Sequence, residues 1–189
     1  MNKILLGLII TLTITSCNQK DKIKEELIQE IASLKTDEQK RLFLEEIYEK
    51  DQQTRKDVTE VEIKFGFESN ERKEALLKAM KDDASNLKKI ELYLEKYVYP
   101  SIAKQGERAT RAPYIVIHHS GTIETKNKYF DYLYKAYKSG DLNPGSFSFY
   151  LERLHRMKFG KRFTLPNPYR EKQLIDSLIK RLNLGLRSQ

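Results

Sequence analysis

Apolar residues recur along this chain at intervals of three and four, the spacing that gathers them on one side of an α-helix. The first such stretch carries Ile23, Leu27, Ile31 and Leu34. A second starts at Thr36, where Gln39 three residues on completes a capping box, a reciprocal pair of hydrogen bonds that fixes a helix start. Leu42, Phe43, Ile47 and Tyr48 form its apolar side, and the pattern continues through Arg55 and Val58 to Gly66. A long third stretch starts near Ser69 or Asn70 with a stripe of Leu76, Leu77, Met80, Ala84, Leu87, Ile90, Leu94 and Val98. Pro100 closes it, because the residue before a proline leaves the α region.

Residues 101–106 read as a turn containing Gly106, followed by a helix from Glu107 to Ser120 with Gly121 as its stop. Pro113 removes a hydrogen bond inside that helix, and a strand at 114–118 would suit its β-branched residues. Helix is the preferred assignment, since no second strand-like run exists to pair with it. A further helix covers roughly Glu124 to Ser139, with Phe130, Leu133, Tyr134 and Tyr137 inward and Gly140 at its end. Asn143-Pro144 is a cap followed by proline at the first helical position. That helix carries Phe147, Tyr150, Leu151 and Leu154 and stops at Gly160. Asn167-Pro168 repeats the start signal before Leu174, Ile175, Leu178, Ile179 and Leu182. The expected fold is all-α, a single compact domain of about seven helices over residues 23–189.

The N-terminus is different in kind. Lys3 precedes an apolar run from Ile4 to Ile10 and a softer one ending Ile14-Thr15-Ser16-Cys17, the layout of a secretory signal. At about 14 residues the run is short of the roughly 20 that span a bilayer. Ile14-Thr15-Ser16-Cys17 resembles a bacterial lipobox, which is cut before the cysteine that then carries the lipid. The expectation is a signal peptide at 1–16, lipidation at Cys17, a short tether over 17–22, and attachment to the membrane through that lipid. The location would be the cell envelope, on the periplasmic side or at the outer membrane. The plainer alternative is an ordinary signal in which the cysteine is incidental. Cys17 is the only cysteine, which excludes an internal disulfide, and on the lipoprotein reading its sulfur carries the lipid, so no Cys-based metal site or cysteine nucleophile is expected.

Charge adds less. The chain has 35 Lys+Arg against 27 Asp+Glu, a formal +8, and losing Lys3 with the signal leaves +7. The charges are interspersed, as in Lys20-Asp21-Lys22 and Glu25-Glu26, the pattern of solvated helix surfaces. Nucleic acid is not expected as a partner of an exported protein. Attraction to anionic head groups fits the sign of the charge.

Candidate chemistry gathers at a few positions. Asp51 and Arg55 lie four apart, so they share a helix face. Asp83 and Asn86 lie three apart, with Asp83 interrupting the apolar stripe between Met80 and Leu87. Glu152 and Arg153 follow Leu151 on a later helix. His119 follows Val116 by three and Ile115 by four, which turns it inward and leaves His118 toward solvent. His119, Asp83, Asp51 and Glu152 are the candidate catalytic groups, with Arg55, Asn86 and Arg153 as candidate binding groups. Imidazole and carboxylate suit Zn, Mn or Fe, but the histidine pair spaced three or four apart that helical metal motifs use is missing. No metal and no cofactor is expected. His119 beside a carboxylate would instead serve as a general base. A buried structural network of His, Asp, Asn and Arg explains the same residues without chemistry. There is no Gly-x-Ser-x-Gly elbow, P-loop or GxGxxG. Eleven tyrosines, among them Tyr129, Tyr132, Tyr134 and Tyr137, would suit a carbohydrate or peptide groove or the core.

From about Glu45 to Leu184 the chain resembles an uncharacterised family of bacterial domains of unknown function. The Asp-x-x-x-Arg of that family is met by Asp51 and Arg55, and its Asp-x-x-Asn by Asp83 and Asn86. Its Trp-Pro corresponds to Tyr99-Pro100, and its glycine six residues later to Gly106. Its apolar run ending Gln-His corresponds to His118-His119, its Asp-Arg to Glu152-Arg153, and its Arg-x-x-x-Gly-Leu-like tail loosely to the stretch from Arg181 to Leu184. Two departures stand out. Glu152 replaces Asp, and the Gln-x-Tyr-Gly-Thr segment expected after Gly160 is absent, the chain reading Lys161-Arg162-Phe163-Thr164. The resemblance implies a mostly helical fold with a shared polar cluster and implies no activity.

The functional expectation is a lipid-anchored envelope protein that acts as a binding or interaction module built around the polar cluster, with a protein or small-ligand partner, rather than an enzyme. The alternative is a hydrolase-like or metal-assisted enzyme using His119 and Asp83. An envelope-stress or immunity-type lipoprotein with a protein partner is a third class, without a motif of its own.

Overall fold

The computed structural model describes residues 22–165 and 170–185. The signal, Cys17 and the Asn167-Pro168 start lie outside the described residues. Seven helices, and no strand, occur among those described, so the fold is all-α. The chain divides into two units, Met1–Lys35 and Thr36–Gln189. The first contributes one described helix, α1, over residues 22–33.

The second unit holds α2 (Asp37–Phe65), α3 (Asn70–Lys96), α4 (Ile102–His119), α5 (Ile123–Ser139), α6 (Pro144–Phe159) and α7 (Glu171–Leu182). Its helix starts follow the capping chemistry of the sequence. The Thr36 hydroxyl accepts from the Gln39 N–H while the Gln39 side chain accepts from the Thr36 N–H, both at 3.1 Å. Asn143 Oδ1 accepts from the Ser146 N–H at 2.8 Å, with Pro144 directly behind it. The core is apolar and aromatic: Leu44, Ile47, Ile90, Tyr93, Ile117, Leu133, Phe147, Tyr150, Leu154 and Leu178 are all buried.

α2 and α3 form a long antiparallel hairpin whose join changes character along its length. Near its open end Phe43 stacks on Tyr93, with ring centroids 6.1 Å apart. Toward the turn the contacts become polar and ionic: the Thr54 hydroxyl donates to Asp82, and Arg55 pairs with Asp83, Lys78 with Asp57 and Arg72 with Glu62. This corrects the apolar stripe expected for α3. Leu77, Met80 and Val98 are exposed, and the buried face runs through Ala79, Asn86, Ile90, Tyr93 and Leu94. Residue type alone puts the polar positions of α3 in solvent, whereas several of them face α2 and pair with it.

α4 lies against α2, α3, α5 and α6. Its sequence is helical where a strand at 114–118 competed, and Pro113 is buried within it. The expected turn at 101–106 is itself helical. The break is confined to Gly106, whose φ of 79° and ψ of 168° lie where only glycine sits without strain. Two side chains pin that kink: Tyr99 donates from its hydroxyl to the Thr110 carbonyl at 2.8 Å, and Gln105 Nε2 donates to Asp37 at 2.7 Å. The helix ends at His119, with Ser120 rather than Gly121 as its cap. The second half of α4 therefore passes between its neighbours and brings His118 and His119 to the polar face of the hairpin.

Candidate ligand site

The i, i+4 spacing on α2 places Asp51 and Arg55 on the face turned to α3 and α4. Asp51 is 1% exposed. One of its oxygens lies 2.7 Å from His119 Nδ1, the other accepts from Gln52 Nε2 at 3.0 Å, and Arg55 Nη2 is 3.9 Å away. Arg55 turns its guanidinium to Asp83 on α3. Burial pushes the Asp83 carboxyl up, while Arg55 and His119 pull it down. Four of the candidate residues thus form one chain of contacts, His119–Asp51–Arg55–Asp83. His119 faces Asp51, and its bonded partner is not Asp83. With Nδ1 engaged and the side chain 19% exposed, the ring is held in one orientation with Nε2 left for another group. A carboxylate-oriented imidazole of this kind accepts a proton from water or from a hydroxyl.

His118 departs from expectation. It is 4% exposed, more deeply buried than His119. α4 has helices on several sides, so adjacent residues pointing about 100° apart both meet protein. The His118 ring stacks on Phe149 of α6, with centroids 4.7 Å apart and planes 21° apart. Burial, with Lys126, Arg153, His119 and Arg156 adding repulsion, drives its pKa down to about 3. His118 is therefore neutral at physiological pH.

Lys126 of α5 closes the end of α4. It is fully buried, and its Nζ donates to the Ile117 carbonyl at 2.8 Å and the His118 carbonyl at 2.6 Å. These carbonyls belong to the last turn, which has no partners within the helix. Burial lowers the Lys126 pKa to about 7, and Arg153 pushes the same way.

Three side-chain nitrogens around this cluster are buried without a hydrogen bond: Arg55 Nε, Asn86 Nδ2 and His118 Nδ1. Buried polar groups are normally paired, so each of these calls for a partner. On α6 and the segment after it, joined to His118 through the stack on Phe149, a cavity of about 350 Å³ is lined by Phe149, Glu152, Arg153, Arg156, Arg162, Phe163 and Thr164. Burial and the charges of Arg156 and Arg55 push the Arg153 pKa down. Glu152, expected with His119, sits in this cavity and makes no ion pair or hydrogen bond among the described residues.

Among the described residues no three His, Cys, Asp or Glu side chains come together as a metal set. No described helix is long and apolar enough to cross a membrane. Sequence reasoning missed Phe149, Lys126, Arg156 and Arg162. The i, i+3 spacing of Arg153 and Arg156 was the signal that would have exposed part of this set. No protein-family model, no curated protein and no solved structure matches the chain.

Proposed function

We propose that the chain is a lipid-anchored envelope protein and a binding module, whose ligand is held at the polar cluster between α2, α3, α4 and α6. The observation that carries the binding role is the set of buried donors without partners, Arg55 Nε, Asn86 Nδ2 and His118 Nδ1, with the His118 ring stacked on Phe149 of the cavity lining. Each such atom costs about 1–3 kcal/mol when it has no partner. A ligand that supplies one recovers that cost on binding. Native mass spectrometry of the protein released from its own membranes in mild detergent should show a small-molecule adduct that dissociates on activation. A bare protein mass would overturn the binding role.

Anchoring rests on the lipobox-like Ile14-Thr15-Ser16-Cys17 and on the absence of a second cysteine. Cys17→Ser should abolish incorporation of labelled fatty acid and release the protein from the membrane fraction. Unchanged labelling and fractionation would refute it.

The Asp51–His119 hydrogen bond favours a second role, a hydrolase that uses His119 to activate water. Its metal-assisted form lacks a ligand set among the described residues. Turnover of an ester substrate that survives in Asp51→Asn would exclude His119 as the oriented base.

A further inference from the structure

Three guanidinium groups, those of Arg153, Arg156 and Arg162, line the cavity of about 350 Å³ beside the cluster. None of them makes an ion pair or a hydrogen bond among the described residues. The only acidic lining residue is Glu152. Elsewhere several arginines take carboxylates: Arg41 pairs with Glu38 and Glu45, Arg72 with Glu62, and Arg108 with Glu49. Three like charges with a single carboxylate among them work against folding, and an anion in the cavity would relieve that repulsion.

The apolar part of the lining is equally specific. Phe149 and Phe163 border the same space, and Phe149 is 55% exposed although the buried His118 ring stacks on its other side. An aromatic residue left with an open face beside guanidinium groups offers stacking to one part of a ligand and charge to another. Guanidinium donors match oxyanions in a planar, two-pronged geometry. The charge balance selects among oxyanions. Three arginines against one glutamate leave a net charge of +2 at the lining, twice what a single carboxylate neutralises. A phosphate monoester carries about −1.5 to −2 near pH 7.

We infer that this cavity binds a phosphate monoester, with the phosphate held by Arg153, Arg156 and Arg162 and the attached ring or chain lying on Phe149. This rests on the binding role proposed above and names its ligand chemistry. The phosphate would come from a soluble metabolite or from a lipid head group, and the two sources differ in how they are presented.

Titration calorimetry on the full-length protein in detergent, at low salt, tests it. Phenyl phosphate should bind, inorganic phosphate at least tenfold more weakly for want of the ring, and phenyl glucoside not at all. Arg156→Gln and Arg162→Gln should each weaken phenyl phosphate at least tenfold. Both side chains are exposed, so the variants should melt no lower than the parent without ligand, since removing one of several like charges relieves repulsion. Flotation of the Cys17→Ser protein with vesicles separates the sources. Capture by phosphatidic acid in phosphatidylcholine, but not by phosphatidylcholine alone, identifies a head group; phenyl phosphate binding without capture identifies a soluble ligand. Phenyl phosphate binding no tighter than phenyl glucoside, or undiminished in both arginine variants, overturns the assignment. If a co-purifying adduct persists in that case, the ligand class falls and the binding role stands. Absence of both removes the binding role itself.

Discussion

His119→Ala should lower the unfolding free energy by about 3–5 kcal/mol, the usual cost of leaving a buried charge without its partner. The side chain removed is only partly buried; the cost lies in what remains. Asp51 is 1% exposed, and without His119 it keeps the Gln52 amide at 3.0 Å and Arg55 at 3.9 Å. Arg55 is already engaged with Asp83 and offers Asp51 little more. A domain of this size has roughly 5–15 kcal/mol in all, so the variant should unfold at much lower urea. The companion measurement is the double variant Asp51→Leu with His119→Leu. Replacing both partners by apolar groups leaves nothing buried and charged, so the double variant should lose clearly less than the sum of the two single changes. Additive losses would show that the two side chains do not act as a pair.

The second large effect is in acid. His118 has a folded pKa of about 3 against an ordinary 6.5. The folded state therefore holds His118 neutral where the unfolded chain would protonate it. Its contribution is intact above pH 6.5 and is lost as the pH falls from there toward 3. Each tenfold difference in proton affinity between the folded and unfolded chain is worth about 1.4 kcal/mol, so the loss reaches on the order of several kcal/mol. The groups facing the ring, Lys126, Arg153, His119 and Arg156, are basic and oppose its protonation. Lys126 has the same sign in a higher window, from 10.5 down to about 7. Asp83, whose carboxyl burial pushes up, acts oppositely in the carboxylate range, so the His118 effect is read between pH 6.5 and that range. His118→Phe preserves a ring against Phe149 and has nothing to protonate. Melting temperature against pH should fall below 6.5 in the parent and flatten in the variant. Parallel curves would mean that His118 does not carry the acid sensitivity.

Much of the fold was legible because its signals are local. The capping box at Thr36, the Asn143-Pro144 start and the left-handed glycines at 140 and 160 act within one turn of themselves, and each marks an observed helix end. Helical periodicity in the 107–120 stretch outweighed its β-branched residues, and no partner strand occurs among the described residues. The polar residues of the cluster were also legible as a set. Asp51, Arg55, Asp83 and His119 stand out by their spacing, and they do meet.

What the chain could not show locally was which helix faces which. Periodicity finds an apolar face only when water lies on the other side. α4 is packed by several helices, so His118 is buried beside His119 instead of opposite it. α3 meets α2 through ion pairs, so its buried face passes through Asn86 while Leu77 and Met80 face water. Lys126 is buried because two carbonyls at the end of α4 need a donor, a demand that arises only once α5 is folded against it. The gathering of Arg153, Arg156 and Arg162 with Phe149 around one cavity depends on the path of the chain after α6. Sequence alone determined the all-α class, several helix ends and the set Asp51, Arg55, Asp83 and His119, since those follow from neighbours within a few residues. Tertiary structure decided the pairing inside the cluster, the burial of His118 and the basic cavity, since those depend on residues brought together from distant helices.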